Sequence, residues 1–454
     1  MFTSINPATG ETIAEYPETS PAEMRAALRV ADKAWLRWRT TSFEERARLL
    51  SATARLLRER ADRYGRLMAA EMGKPIAGGR AEAEKCATAC DYYAEHGARF
   101  LADEMIDTDA SRSYVHYEPL GTVLAIMPWN FPFWQVLRFA APTLMAGNVA
   151  ILKHAANVPG CAIAIEELLR DAGFPPGVFQ NLLVDHVQLR SVIRHKGVAA
   201  VTLTGSTRAG RAVGKLAGER LKKTVLELGG SDPYIILEDA DLDAAVEACV
   251  TSRLINSGQS CIAAKRFIVV DKVRAEFEQR FVARMAKAAM GDPLDEANAI
   301  GPLARRDLRD ALHAQVEQSV SRGARVLLGG SVPAGPGAFY PPTVLTDVAK
   351  GMAAHDEELF GPVAAIIPAR NEKAAIRIAN ASVFGLGAAV FTRDVARGER
   401  IAATELQAGS CFVNAFVRSD ARLPFGGLKE SGHGRELSRQ GIMEFVNVKT
   451  VYVR

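Results

Sequence analysis

The chain predicts an α/β fold built on doubly wound parallel sheets, and three observations lead there. Thr122 to Met127 has the character of a buried strand, Trp134 to Met145 is helical and Val149 to Lys153 is a second strand, which together make a βαβ unit. The alternation then recurs, and a second block of the same kind begins near Ser231, just after Gly229-Gly230. Finally, 454 residues exceed what one hydrophobic core supports, so two large domains with smaller pieces are expected.

From the start, residues 21 to 100 repeat Ala, Leu, Arg and Glu at helical spacing, broken at Thr40 to Phe43 and at Gly73 to Ile76. Several helices are expected there. Ser113 to Tyr117 alternates as a strand does and stops at Pro119. After the first βαβ unit come a helix from Gly160 to Asp171, strands near Phe179 to Leu183 and Ala199 to Thr204, and a helix from Ala209 to Ala217. Thr224-Val225-Leu226 reads as one more strand, and Gly229-Gly230 reads as a flexible hinge at the boundary. In the second block a helix spans Leu242 to Ile255, a strand Phe267 to Val270 and a helix Val273 to Ala289. Gly329 to Pro342 is a surface excursion. Phe445 to Val453 alternates again, as an edge strand or a strand that pairs with another subunit would.

Composition narrows the function. Hydrophobic residues make up 48% and the net charge is only +4, which implies no nucleic-acid partner. Six cysteines in a chain this long point to free thiols in a reducing compartment, with cytoplasm the expected location. Cys86 and Cys90 are four apart on a helical stretch, but no second Cys or His pair stands at ligand spacing, so no metal site is expected. Met1 to Pro7 lacks the marks of a signal peptide, and no apolar run reaches membrane-spanning length. A soluble protein, with no membrane partner, is the expectation.

The chemistry is read from the ends of strands. Cys261 closes the polar turn Asn256-Ser257-Gly258-Gln259-Ser260, a setting the other cysteines do not share. A thiol titrates near about 8.5 in isolation, so it attacks carbonyl carbon well only where dipoles or a base favour the thiolate. Glu227 ends its strand 34 residues upstream, where a general base can work. The alternative is a small buried cysteine and a solvated glutamate. Asn130, within Pro128-Trp129-Asn130-Phe131-Pro132, follows the first strand at the sheet's carboxyl edge, where its amide could donate to an oxyanion with the Cys261 N–H as a second donor. It could equally be a turn former. Lys153 ends the next strand, placed to bond ribose hydroxyls or phosphate, and Gly205-Ser206 opens the turn into the following helix, whose N-terminus suits a pyrophosphate. That spacing is not the Gly-x-Gly-x-x-Gly fingerprint.

Together these pieces resemble the aldehyde dehydrogenase superfamily, end to end from Asn6-Pro7-Ala8-Thr9-Gly10 to the final strand. The resemblance rests on Pro128-Trp129-Asn130, Lys153, Gly205-Ser206-Thr207, Glu227-Leu228-Gly229-Gly230, Gly258-Gln259-Ser260-Cys261, Glu357-Glu358-Leu359-Phe360-Gly361-Pro362 and Pro424-Phe425-Gly426-Gly427, in family order. Within it, Lys153 to Pro159 and Glu227 to Pro233 look like the bacterial succinate-semialdehyde dehydrogenases. The resemblance implies a Rossmann-like cofactor domain of residues 1–110 and 119–229, an α/β catalytic domain of 230–430, and oligomerisation strands at 111–118 and 440–454 of a homodimer or homotetramer. It also implies NADP or NAD as cofactor, held by Trp129, Asn130, Lys153, Ala156, Gly205, Ser206, Leu228, Glu358 and Phe360. In the implied mechanism Cys261 attacks the aldehyde, Asn130 and a backbone amide hold the oxyanion, hydride leaves, and Glu227 activates water against the thioester. Glu227 is absent from the similar enzymes that pass the acyl group to coenzyme A, so hydrolysis is favoured. Phe360 either flanks the nicotinamide ribose or packs under the Gly-Pro turn.

Departures from the family pattern bear on specificity. Many NAD-preferring relatives have a glutamate three residues after the lysine, where this chain has Ala156, and Ala263 stands where some relatives carry a second cysteine. A semialdehyde also needs a cation for its remote carboxylate, because an unpaired buried carboxylate costs several kcal/mol. Arg138, eight residues past Asn130, leads for that role, with Trp134 one helical turn earlier; its alternative is a salt bridge within the helical layer. Ser419 matches a substrate-contacting position in the similar enzymes. Rival functions are oxidation of a different aldehyde and a cysteine esterase, which would reduce no cofactor. Since nothing at Ala156 repels a 2′-phosphate, NADP is expected to be accepted as well as NAD; the ratio of kcat/KM for the two cofactors measures this, and a strong NAD preference would defeat it.

Overall fold

The computed structural model describes residues 1–454 as two parallel-stranded sheets, a small antiparallel sheet and an N-terminal hairpin, Phe2–Ile5 with Thr12–Tyr16. Four helices follow the hairpin: Pro21–Trp38, Phe43–Glu59, Ala61–Met72 and Ile76–Phe100. Their starts follow from local chemistry. Ser20 accepts from the Glu23 N–H while Glu23 accepts from the Ser20 N–H, with Pro21 at the first helical position, and Ser42 caps the second helix by accepting from the Glu45 N–H alone. Gly73 ends the third at φ 74°, a conformation that suits glycine.

The first sheet runs in the order Gly432–His433, Lys223–Glu227, Val198–Thr204, Thr122–Ile126, Val149–Lys153 and Phe179–Asn181, parallel throughout except for its first, two-residue strand. Register decides what the sheet presents. Ile126 lies beside Lys153 and Leu203, and Thr204 beside Glu227, so the turns after these strands all leave from one edge. The second sheet runs Arg325–Leu328, Thr343–Thr346, Val363–Ala369, Ala264–Val270, Asp232–Ile236, Gly387–Phe391 and Ser410–Val413. Only its outermost strand is antiparallel. Alternate residues sort to its two faces: Ile235, Ile268 and Ile367 into one core, Tyr234, Ile236, Phe267, Val269 and Ile366 into the other.

Val446–Val453 and Arg112–Pro119 pair along their whole length, with Glu104–Met105 on the far side, leaving Val446–Val453 as a free edge carrying exposed Val448 and Tyr452. The excursion between Gly329 and Pro342 separates the antiparallel pair at the rim of the second sheet. Residues beyond 413 return to the first sheet, since Phe425, Leu437, Ile442 and Phe445 are buried in its core. No helix is long and apolar enough to cross a membrane.

Gly229-Gly230 corrects the hinge reading. Neither residue has positive φ; instead a Cβ on Gly229 would fall 2.6 Å from Glu358 Oε2, and one on Gly230 2.7 Å from the Cys261 carbonyl. Glycine stands here because two other segments press against the backbone.

Candidate active site

The carboxyl edge of the first sheet meets the amino edge of the second. Trp129-Asn130, Gly205-Ser206 and Leu228-Gly229 leave strands of the first, whereas Cys261 precedes Ala264–Val270 and Glu358 and Phe360 precede Val363–Ala369. All of them line one cavity of about 270 Å³, together with Gln135, Thr204 and Leu308.

The segment bearing Cys261 is held in a costly shape. Asn256, Ser257 and Gly258 have φ of 53°, 55° and 77°, a left-handed run that only dense support maintains. Gly258 is forced by space as well, because a Cβ would lie 2.2 Å from the Gly361 carbonyl carbon. Ser257 Oγ accepts from the Gly301 N–H (3.0 Å), Gln259 Oε1 from the Ala304 N–H (2.9 Å), and buried Arg253 donates to the Gly258 carbonyl (2.6 Å). Lys265, fully buried, donates to the Ser260 and Cys261 carbonyls at 2.7 and 2.6 Å. With its carbonyl tied back, Cys261 has a backbone N–H that donates to no protein acceptor.

Asn130 approaches from the other sheet. Its Nδ2 donates to the Gln259 carbonyl at 3.0 Å, while Asn256 Nδ2 donates back to the Asn130 carbonyl at 2.7 Å, so amide and thiol are fixed relative to one another. The turn itself is anchored by two groups that sequence reading missed. Glu82 Oε1 accepts from the Phe133 and Trp134 N–H groups, both at 2.9 Å, capping the helix Trp134–Met145 from a different helix, and its Oε2 lies 2.7 Å from Lys74 Nζ. His154 Nε2 donates to the Pro132 carbonyl (2.9 Å), and its Nδ1 accepts from the Ala155 N–H. Burial pulls this imidazole down to about 4, so it stays neutral and the bond persists across physiological pH.

Glu358 accepts from the Gly230 N–H (3.0 Å) and faces Lys265 at 3.4 Å, joining both segments of the seam. Phe360 lines the cavity and meets Trp129 edge-on, with centroids 5.7 Å apart at 88°. Cys261 is half-buried; burial pushes its thiol up to about 11 against the pull of Lys265 and Arg138. Glu227 lies outside the cavity lining. It is buried, neither carboxylate oxygen has a hydrogen-bond partner, and Oε1 is turned toward Gly426. Burial first and Glu436 second raise its carboxyl well above the usual carboxylate range. Lys153 ends its strand buried, with no ion-pair partner, and burial lowers its ammonium; Ala156 is exposed on the following turn. Ser206 Oγ caps the helix Thr207–Gly218 by accepting from the Ala209 N–H. No group of three or more His, Cys, Asp and Glu side chains converges as a metal site would require.

The position of Arg138 corrects the sequence reading. Its guanidinium is turned into the protein, ion-paired with buried Glu436, stacked 4.7 Å over Phe425 and 3.4 Å from Thr204 Oγ1. It is the helical-layer salt bridge, because Glu436, returning from the C-terminal segment, needs a counter-ion at that depth. Trp134 is buried, and Ser419 Oγ accepts from Lys85 Nζ at 2.7 Å. Neither lines the Cys261 cavity.

A profile of the aldehyde dehydrogenase family matches residues 1–451. The chain belongs to that family. It is 50% identical over 449 residues, covering 99% of this chain and 97% of the relative, to the succinate semialdehyde dehydrogenase (NAD(P)+) Sad of Escherichia coli K12. It is also 50% identical over 453 residues, 99% of both chains, to succinate-semialdehyde dehydrogenase (NADP(+)) 1 of Mycobacterium tuberculosis H37Rv. Among solved structures, the succinic semialdehyde dehydrogenase of Streptococcus pyogenes in complex with NADP+ superposes at a TM-score of 0.97 with 36% identity over 100% of each chain. The structure of Gox0499 superposes at 0.98 with 40% identity, covering 100% of this chain and 99% of that one. The two sheets and the antiparallel annex are therefore the aldehyde dehydrogenase fold.

Glu82 supports the site without entering the cavity. Replacing it by Ala strands two N–H groups and the Lys74 ammonium, so Glu82→Ala is expected to cost about 3–5 kcal/mol in chemical denaturation.

Proposed function

We propose that this protein is an NAD(P)-dependent dehydrogenase that oxidises succinate semialdehyde to succinate. The observation that carries the reading is the meeting of the Cys261 thiol, its unengaged N–H and the Asn130 amide at one wall of a cavity whose other walls suit a dinucleotide. The relatives' names supply the substrate class.

The residues fit the cofactor. Gly229 leaves space that a Cβ would fill against Glu358, the helix Thr207–Gly218 turns its N-terminus to the same edge, and Lys153 offers an unpaired cation. Trp129, Leu228 and Phe360 supply apolar walls, and Glu358 hydroxyl-binding oxygens. Ala156, exposed and uncharged, leaves room for a 2′-phosphate. When bound, the nicotinamide accepts the hydride.

Cys261 gives its thiol proton to solvent as Sγ bonds the aldehyde carbon, and the carbonyl π pair moves onto oxygen to give the thiohemiacetal anion. The developing oxyanion accepts from the Cys261 N–H and from Asn130 Nδ2, whose second N–H remains bonded to the Gln259 carbonyl. Loss of hydride leaves a thioester on Cys261, and water attacks it, with Glu227 taking the proton. Glu227 adjoins Leu228 and is in register with Thr204, both of which line the cavity, so rotation of its side chain brings the carboxylate in. In its resting position burial and Glu436 favour the uncharged carboxyl; the wetter cavity favours the carboxylate that acts as base.

The same reading assigns the first sheet to the cofactor and the second to catalysis. It pairs the exposed edge Val446–Val453 with another copy in a dimer or tetramer. Six free cysteines support a reducing compartment, the cytoplasm.

A panel of aldehydes with NADP and with NAD, followed by reduced-cofactor absorbance, tests the substrate; no turnover of succinate semialdehyde would defeat the proposal. Cys261→Ala is expected to abolish cofactor reduction. Glu227→Gln is expected to give a burst of one reduced cofactor per site and then a steady rate about 10²- to 10⁴-fold below wild type. Because its thiol lies near 11, alkylation of Cys261 in the cofactor-free enzyme is expected to accelerate with pH and to show no plateau below about 10.

A further inference from the structure

Behind the Trp129–Phe131 turn lies a second cavity, about 420 Å³, lined by Lys74, Glu82, Lys85, Phe131, Leu254 and Asn256 among others. Asn130 faces the first cavity and its neighbour Phe131 the second, and Asn256 in the second is bonded to the backbone of Asn130 and Gln259. The Asn130–Phe131 turn and the Asn256 end of the segment that leads to Cys261 therefore border both cavities.

Charges around this second cavity are paired, with one exception. In the lining, Lys74 is neutralised by Glu82 at 2.7 Å and Glu296 by Arg80; close by, Arg138 is neutralised by Glu436 and Asp420 by Arg422. Lys85, on the helix Ile76–Phe100 and three residues beyond Glu82, has no carboxylate within ion-pair distance. Its ammonium donates to Ser419 Oγ at 2.7 Å and sits 4.3 Å from the centroid of the Trp134 ring. A hydroxyl and an aromatic face hold a cation in place without neutralising it, which leaves its attraction for an arriving anion intact. Lys85 itself lines the cavity.

We propose that Lys85, oriented by Ser419 and Trp134, is the cation that receives the remote carboxylate of the substrate, the role that the sequence had pointed to at Arg138. This rests on the succinate semialdehyde reading above. A four-carbon chain then lies with its carboxylate at Lys85 and its aldehyde toward Cys261. Ser419 Oγ, already accepting from Lys85, turns its own O–H to the carboxylate. Unsubstituted aldehydes of the same length lack this anchor.

Burial, with Arg138 next, draws the Lys85 ammonium down to about 8, against Cys86 and Glu82 on its own helix and Asp420 beside Ser419. A bound carboxylate favours the charged form again. The free enzyme should thus discriminate for the acidic aldehyde below about pH 8 and lose that discrimination above it.

The test uses full-length enzyme with saturating NADP and two four-carbon aldehydes, succinate semialdehyde and butanal. Lys85→Gln is expected to raise KM for succinate semialdehyde about 100-fold while KM for butanal moves less than about threefold, and Lys85→Arg to recover most of the loss. Equal effects on both aldehydes, or no effect on either, overturn the assignment. Should Lys85→Gln not fold, the wild-type ratio of kcat/KM for succinate semialdehyde over butanal decides: a fall as pH rises through about 8 supports Lys85, and a flat ratio overturns it. Wild-type enzyme inactive on succinate semialdehyde but active on other aldehydes would defeat the substrate reading, and the role of Lys85 with it. A Lys85 variant indistinguishable from an active wild type defeats Lys85 alone.

Discussion

The site depends on the strained segment Asn256–Gly258. Three successive left-handed residues turn the chain so sharply that Cys261 reaches the seam between two sheets, and this conformation is intrinsically unfavourable by about 1–2 kcal/mol for each non-glycine member. It persists because the hydrogen bonds that Arg253 and Lys265 donate, and those that Ser257 and Gln259 accept from the Gly301 and Ala304 N–H groups, hold it in place. The same restraints tie down the Cys261 carbonyl and leave its N–H without a protein acceptor, free for the oxyanion role proposed for it. Strain and preorganisation are here one feature: the scaffold holds the donor in position before the reaction needs it.

Buried charge divides the molecule in a second way. Lys74 with Glu82, Arg138 with Glu436 and Lys265 with Glu358 are neutralised pairs that fasten the Asn130 turn, the C-terminal return and the seam. Lys85, Lys153 and Glu227 have no partner of opposite sign within ion-pair distance, and burial shifts each toward its neutral form. An unpaired ionisable group at depth destabilises the fold, and such groups are retained where a ligand or a reaction completes them. Those three pairs build the site, whereas Lys85, Lys153 and Glu227 are the groups assigned to its chemistry; Arg253, also buried without a counter-ion, donates to the Gly258 carbonyl.

Much of the fold was legible because its signals are local. The helix Trp134–Met145 and the strand Val149–Lys153 fall where periodicity placed them, and most other boundaries differ by one to four residues at frayed or capped ends. The hairpin at Phe2–Ile5 and the break at Arg60 were missed, since neither carries a strong periodic or glycine signal. Motif order brought Trp129, Asn130, Gly205, Ser206, Leu228, Cys261, Glu358 and Phe360 to one list, and the cavity contains all of them. Gly229-Gly230 was visible as glycine but misread, because sequence shows absence of a side chain without showing whether conformation or crowding demands it.

By itself, then, the sequence determined which residues stand at strand ends: strands alternate, turns follow them, and a parallel sheet sends its turns to a common edge. Only tertiary structure decided which charges meet. Arg138 and Lys85 are both cations on helices, and local sequence points the wrong way: Arg138 has no acid near it in its helix yet is paired, whereas Lys85 follows Glu82 and Glu84 yet is not. Their fates were set by Glu436 and Ser419, each about 300 residues or more away in sequence. A buried charge takes its role from the nearest opposite charge in space, and chain folding alone supplies or withholds that neighbour.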